Sequence, residues 1–203
     1  MTPLSWTLCF LLPVLQLLQF PEGKQKPPSD SHFAVLNIVI GKDNLRTLQD
    51  KLGPTKKCRT KAHDGVAIAG YAGSNEDIVF EFGEGGGGDV TAFFLSLHGP
   101  RKIGCPLSEL SMPSSTLTTS GGVHLGMTEQ EFVGIFGVPM IRTPAGQWKY
   151  DWTLEKKYTE KEKSEAANAG HPVTGSYLKG ITIEAEFQKG RLSYFYISRL
   201  ETT

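Results

Sequence analysis

The chain has 203 residues, with 21 basic and 21 acidic side chains and a formal charge of zero. That length fits one domain or two small ones, and neutrality removes the net field that draws a protein to nucleic acid or to an anionic membrane. Hydrophobic residues make up 39%, enough for a core, and the 23 glycines fall in short turn-like clusters without a collagen period.

Residues 4–20 are nearly all apolar, interrupted by Ser5, Thr7, Gln16 and Gln19, and Pro13 opposes a continuous helix. The run is short of the roughly 20 residues that a bilayer span needs. It reads as an N-terminal signal segment over 1–23. No Lys or Arg precedes it and no small-x-small cleavage site stands out, so an uncleaved anchor and a buried helix remain open readings. Export implies an extracytoplasmic compartment, periplasmic or secreted, with the membrane met only through this segment if it is not cleaved. Beyond Cys9 the cysteines are Cys58 and Cys105. An even pair in an oxidising compartment predicts one disulfide, with two buried thiols as the alternative. Neither cysteine lies in a recognised zinc spacing.

Residues 24–32 read as a polar linker, with Pro27-Pro28. The apolar run 33–40 then predicts a strand. Leu45, Leu48 and Leu52 repeat at helical spacing, so a short helix follows. Asp43 or Asn44 can cap its start, Gly53 suits a left-handed position at its end, and Pro54 stops it. Alternation predicts strands at 78–82 and 90–97, separated by a glycine-rich turn. Residues 99–120 form a connector.

The same order then recurs. Thr128-x-x-Glu131 is a capping box, Phe132, Ile135 and Phe136 form an apolar helix face, and Gly137 and Pro139 end it. Strands follow at 148–152, 183–187 and 191–200. The charged stretch 155–177 reads as an extended surface loop that makes the second copy longer. The expectation is an α+β fold of two tandem repeats, 33–98 and 121–203, each a short helical element on a three- to four-stranded antiparallel sheet.

The pattern Gly126-Met127-Thr128-x-x-Glu131, running through Gly137 and Pro139, resembles the helix of the β-lactamase-inhibitor-protein-like fold. That group includes the tandem-repeat inhibitor itself and the outer-membrane assembly lipoproteins of the SmpA/OmlA (BamE) type. In the first copy Gly41-Lys42-Asp43 is a variant one residue longer between its glycines. The resemblance implies helices packed on one face of antiparallel sheet, a broad concave surface for a protein partner, and binding without catalysis. The chain lacks the small residue that a lipoprotein signal places before its cysteine, since Leu8 precedes Cys9, so lipid anchoring is not implied.

Alternation puts Trp148, Tyr150 and Trp152 on one side of their strand, opposite Lys149 and Asp151. Tyr194 and Tyr196 share a side opposite Phe195 and Ile197. Such rings anchor interfaces when exposed, so these five residues are candidates for a protein-binding patch. Glu184 and Glu186 share a face with Thr182, as on a solvated sheet surface. His63-Asp64-Gly65 looks like a hairpin turn, with His63 and Asp64 as a recognition tip. The run 83–89 lacks a phosphate loop's Gly-Lys-Ser/Thr ending and lies between strands. No residue pattern marks a catalytic, metal or cofactor site. The expected partner is a protein, and the expected character is a non-enzymatic binding module.

Overall fold

A computed structural model describes residues 24–59, 66–83, 88–98, 103–110, 117–170 and 172–202. Among them the fold is α+β and its sheet is mostly antiparallel. No described helix is long and apolar enough to cross a membrane.

The polar stretch expected as a linker is docked. The Lys26 backbone N–H donates to Phe136 O at 2.8 Å and its ammonium reaches Gly134 O at 3.3 Å. These are carbonyls that a helix C-terminus leaves without internal partners. A 3-10 turn, Asp30–Phe33, buries His32 and Phe33. The strand expected over 33–40 is instead a hairpin of β1 (Ala34–Val35) and β2 (Ile38–Val39). Leu36 and Asn37 take φ of 51° and 63° between them. Positive φ at both central positions makes a type I′ turn, which folds the apolar run back on itself.

Helix α1 (Leu45–Leu52) starts at Asn44, whose Oδ1 accepts from the N–H groups of Arg46 and Thr47. Asp43, the other capping candidate, instead accepts from Val39 N at 2.7 Å and from Lys51 Nζ at 2.9 Å. Burial pushes the Asp43 carboxyl up, but those hydrogen bonds outweigh it and hold its pKa below the usual range. Gly53 ends α1 at φ 101°, ψ 174°. That is not the left-handed helical cap expected but the glycine-only extended region.

Strands β3 (Cys58–Arg59), β4 (Ala67–Ala72), β5 (Glu76–Phe82) and β6 (Val90–Leu97) form a meander, and β7 (Ser108–Glu109) lies parallel to β4. Helix α2 (Glu129–Phe136) opens with the expected capping box. Thr128 N and its hydroxyl donate to Glu131 Oε2, and Glu131 N donates back to Thr128 Oγ1. Then come β8 (Ile141–Arg142), β9 (Gln147–Lys157), α3 (Glu160–Asn168), β10 (Ser176–Gln188) and β11 (Arg191–Thr202). The stretch expected as an open loop over 155–177 therefore holds α3 and the ends of β9 and β10. Thr159 and Glu162 cap α3 with the same reciprocal box as Thr128 and Glu131.

The halves share one sheet rather than two. Its strand order is β3-β4-β5-β6-β11-β10-β9-β8, with β6 and β11 joined through pairs such as Phe93–Ile197 and Leu95–Phe195. Matching contacts recur on either side of that seam. Gly41 N donates to Val90 O at 2.7 Å and Gly126 N donates to Leu192 O at 2.7 Å. Register breaks fall at Glu81/Phe82 and again at Glu186/Phe187.

The main core lies between the helices and one sheet face. Leu48 and Leu52 of α1 and Phe132 and Phe136 of α2 are fully buried there. Phe132 touches Phe136, Trp148, Tyr150, Phe187 and Phe195, with ring centroids 4.8–6.2 Å apart. Rings at such separations add to their area burial.

Candidate functional site

The sheet face away from the helices is covered unevenly. Over β4–β6 and the start of β11, the connector lays Ile103 and Leu107 on a second cluster of Ile68, Val79, Phe94 and Tyr194. Cys58 and Cys105 are paired as a disulfide, with Cα atoms 6.2 Å apart. The bond ties β3 to the segment that leads into β7. Both short strands lie along the same outer edge of β4: Cys58 opposes Ile68 and Ser108 opposes Tyr71. Gly70, between them, permits the close approach. A Cβ there would meet Ile78 O, Val79 Cγ2 and Leu107 Cδ2, all at 2.8 Å.

Over β9–β11 no such segment lies on the face among the described residues. One row across these strands reads Lys149, Glu184, Tyr196, and the next reads Asp151, Thr182, Ser198. The Thr182 hydroxyl donates to Asp151 Oδ1 at 2.8 Å, and Lys149 Nζ lies 3.4 Å from Asp151 Oδ2. Glu184 is exposed and its neighbours are half-buried. Toward the far end of the β10–β11 hairpin, Leu178 (49% exposed) and Leu200 (63%) sit diagonally opposed on the same face. The surface is polar at its centre and apolar at its end. On the same face, at the β8–β10 margin, a shallow cleft of about 270 Å³ is bounded by Ile141, Gln147, Lys149, Glu184 and Glu186.

The aromatic candidates occupy other places. Trp148 (2% exposed) and Tyr150 (0%) point into the helix-side core, and Trp152 is half-buried beside them, stacked on Tyr150 at 5.6 Å. These three rings do share a side as expected, but that side faces α2, because the helix needs large apolar partners. They form no exposed patch, which corrects that expectation. Tyr194 is on the opposite face and buried beneath the connector. Tyr196 is half-buried, and its hydroxyl donates to Glu81 Oε2 at 3.2 Å. Burial first, and the Glu81 charge second, push the Tyr196 pKa up. His63 and Asp64 lie outside the described residues.

The residues that line the open face were present in the pattern as the polar alternates of the rings, Lys149 and Asp151, and as Thr182 with Glu184. Among the described residues no cluster of His, Cys, Asp and Glu has a metal-binding arrangement. Comparison with known protein families, with characterised proteins and with solved structures finds no match.

Proposed function

We propose that the chain is an exported, non-enzymatic protein-binding module built from two tandem repeats, and that it meets its partner with the open face of β9–β11. The observation that carries this reading is the unequal covering of the sheet. One half is closed by a disulfide-clipped connector, whereas the other, among the described residues, keeps an open polar surface with a shallow cleft and two exposed leucines at its end. An open face with a few apolar anchors and only a shallow cleft suits a protein surface better than a small substrate, which binds in a deep cavity.

The repeat reading is supported by paired details. Tyr71 Oη donates to Gly53 O at 2.7 Å and Tyr150 Oη donates to Gly137 O at 2.9 Å, each tying its own helix end to the sheet. Asn44 bridges Asp89 and Thr128 bridges Arg191 in the same sense. Such an arrangement agrees with the β-lactamase-inhibitor-protein-like resemblance, in which an enzyme to be inhibited or an envelope component is the partner class. The apolar residues 4–20 and the disulfide support an extracytoplasmic setting.

The test is capture of a partner from an envelope fraction of the cells that make the chain, with wild type beside the Thr182→Arg/Glu184→Arg double variant. The reading requires a discrete species retained by wild type and lost by the variant, while both give the same circular dichroism. Equal retention by both would remove the open face from the account.

A further inference from the structure

The two outer edges of the sheet are treated differently. On β4 the edge is occupied by β3 and β7 and locked by the Cys58–Cys105 bond. On β9 it is occupied among the described residues by β8, which pairs at Trp148 and Lys149. Met140 N donates to Lys149 O and Thr143 N to Gln147 O, so odd-numbered residues of β9 turn their backbone groups outward. Even-numbered residues turn theirs to β10. Past Lys149, the outward N–H and C=O groups of Asp151, Thr153, Glu155 and Lys157 have no backbone partner among the described residues. Thr153, Glu155 and Lys157 are exposed. A run of unpaired groups on an edge strand is a template for another strand.

We infer that a second copy of this chain pairs here, β9 against β9 in antiparallel fashion about a two-fold axis at Leu154. Two observations select that occupant and that register. The free stretch is bounded by β8 on one side and by the turn into α3 on the other, and its centre is Leu154. The side chains are self-complementary about the same centre. Asp151 meets the other copy's Lys157 and Thr153 meets its Glu155 on the open side, while Trp152 meets Lys156 and Leu154 meets itself on the helix side. Opposite charges face each other and an ammonium lies beside an indole. Shifting the centre to Thr153 sets Asp151 against Glu155, and shifting it to Glu155 sets that carboxylate against its own copy. Like charges directly opposed disfavour both. Odd residues pair with odd residues in the central register, as hydrogen-bonded partners must, and Leu154 becomes a non-hydrogen-bonded pair with Cα atoms about 4.5 Å apart.

That distance is within reach of a disulfide. The test uses the full chain in a Cys9→Ser background, with Leu154→Cys and, separately, Thr153→Cys. Sedimentation of the unmodified chain gives a dimer. Mild oxidation cross-links Leu154→Cys into a covalent dimer, and Thr153→Cys stays uncross-linked. Lys157→Glu, which sets a carboxylate against Asp151, weakens association about tenfold or more without changing the circular dichroism. A monomeric chain, cross-linking through Thr153→Cys in place of Leu154→Cys, or a dimer indifferent to Lys157→Glu would each overturn the inference. A chain that is monomeric alone yet takes up an extended peptide along β9 would also overturn it, and would assign the edge to a different protein.

Discussion

The Tyr150 hydroxyl donates a 2.9 Å hydrogen bond to the carbonyl of Gly137, the glycine that ends α2. Helix ends leave carbonyls without partners, and here a strand residue supplies the donor from the core. Burial pushes the Tyr150 pKa up and raises that of Tyr71, its counterpart at Gly53, to about 12.

Removing either hydroxyl isolates the donor's contribution. Tyr150→Phe leaves a buried Gly137 carbonyl unsatisfied and is expected to cost about 1–3 kcal/mol; Tyr71→Phe, at the half-buried Gly53, is expected to cost about 1 kcal/mol. Urea unfolding reads both. The alkaline limb follows with its sign. A folded-state pKa raised above the unfolded value favours the protonated form. The contribution of Tyr71 is therefore complete below about pH 10 and is lost as pH rises toward 12. Tyr71→Phe shallows that limb.

His32 gives the opposite dependence in acid. Its ring lies against Phe136 at 5.1 Å, and its Nδ1 is engaged by Ser29. Burial lowers its pKa. The unfolded chain then binds a proton that the folded chain resists, so stability falls as pH drops from about 6.5 through the folded value. Thermal melts between pH 7.5 and 5 are expected to show this fall, and His32→Gln to reduce it.

Much of this frame was legible in the chain. Thr128-x-x-Glu131 announced α2, and Leu45, Leu48 and Leu52 announced α1, because capping and 3.6-residue periodicity are local signals. The alternations around Trp148, Ile183 and Tyr194 gave the strands and sorted their faces. What alternation cannot say is which face a helix covers, so it does not tell that Trp148 and Tyr150 face α2 while Tyr194 and Tyr196 lie on the opposite face. Thr159 and Glu162 repeat the same box, yet α3 buries no residue and offers no apolar period to read. The joining of β6 to β11 into one sheet is a long-range pairing with no local mark. Leu36 at positive φ hid the turn inside a run that reads as strand.

The disulfide stabilises by restricting the unfolded chain. With its cysteines 47 positions apart in sequence, the chain-entropy relation gives about 4 kcal/mol. Reduction, or Cys58→Ser with Cys105→Ser, is expected to lower stability by about 2–4 kcal/mol and to loosen the connector from Ile68 and Val79. Calorimetry with and without reductant measures the first. Hydrogen exchange of β4, compared with β10, measures the second.

Two glycines are predicted to respond with opposite signs. Gly70→Ala forces a methyl group against Ile78 O and Val79 in a packed sheet and is expected to cost about 1–3 kcal/mol. Gly134 is exposed in α2, and a Cβ there meets nothing within 4 Å. Gly134→Ala is expected to stabilise by about 0.5–1 kcal/mol. Denaturant midpoints of the two variants decide the matter.

The claim that the open face of β9–β11 docks a protein is tested most directly by a photo-reactive side chain at Glu184, compared with one at Glu165 on α3. The account predicts a discrete adduct from position 184 in the envelope fraction, suppressed by excess wild-type chain and not by the Thr182→Arg/Glu184→Arg variant. No adduct from position 184, or the same adduct from position 165, would contradict it.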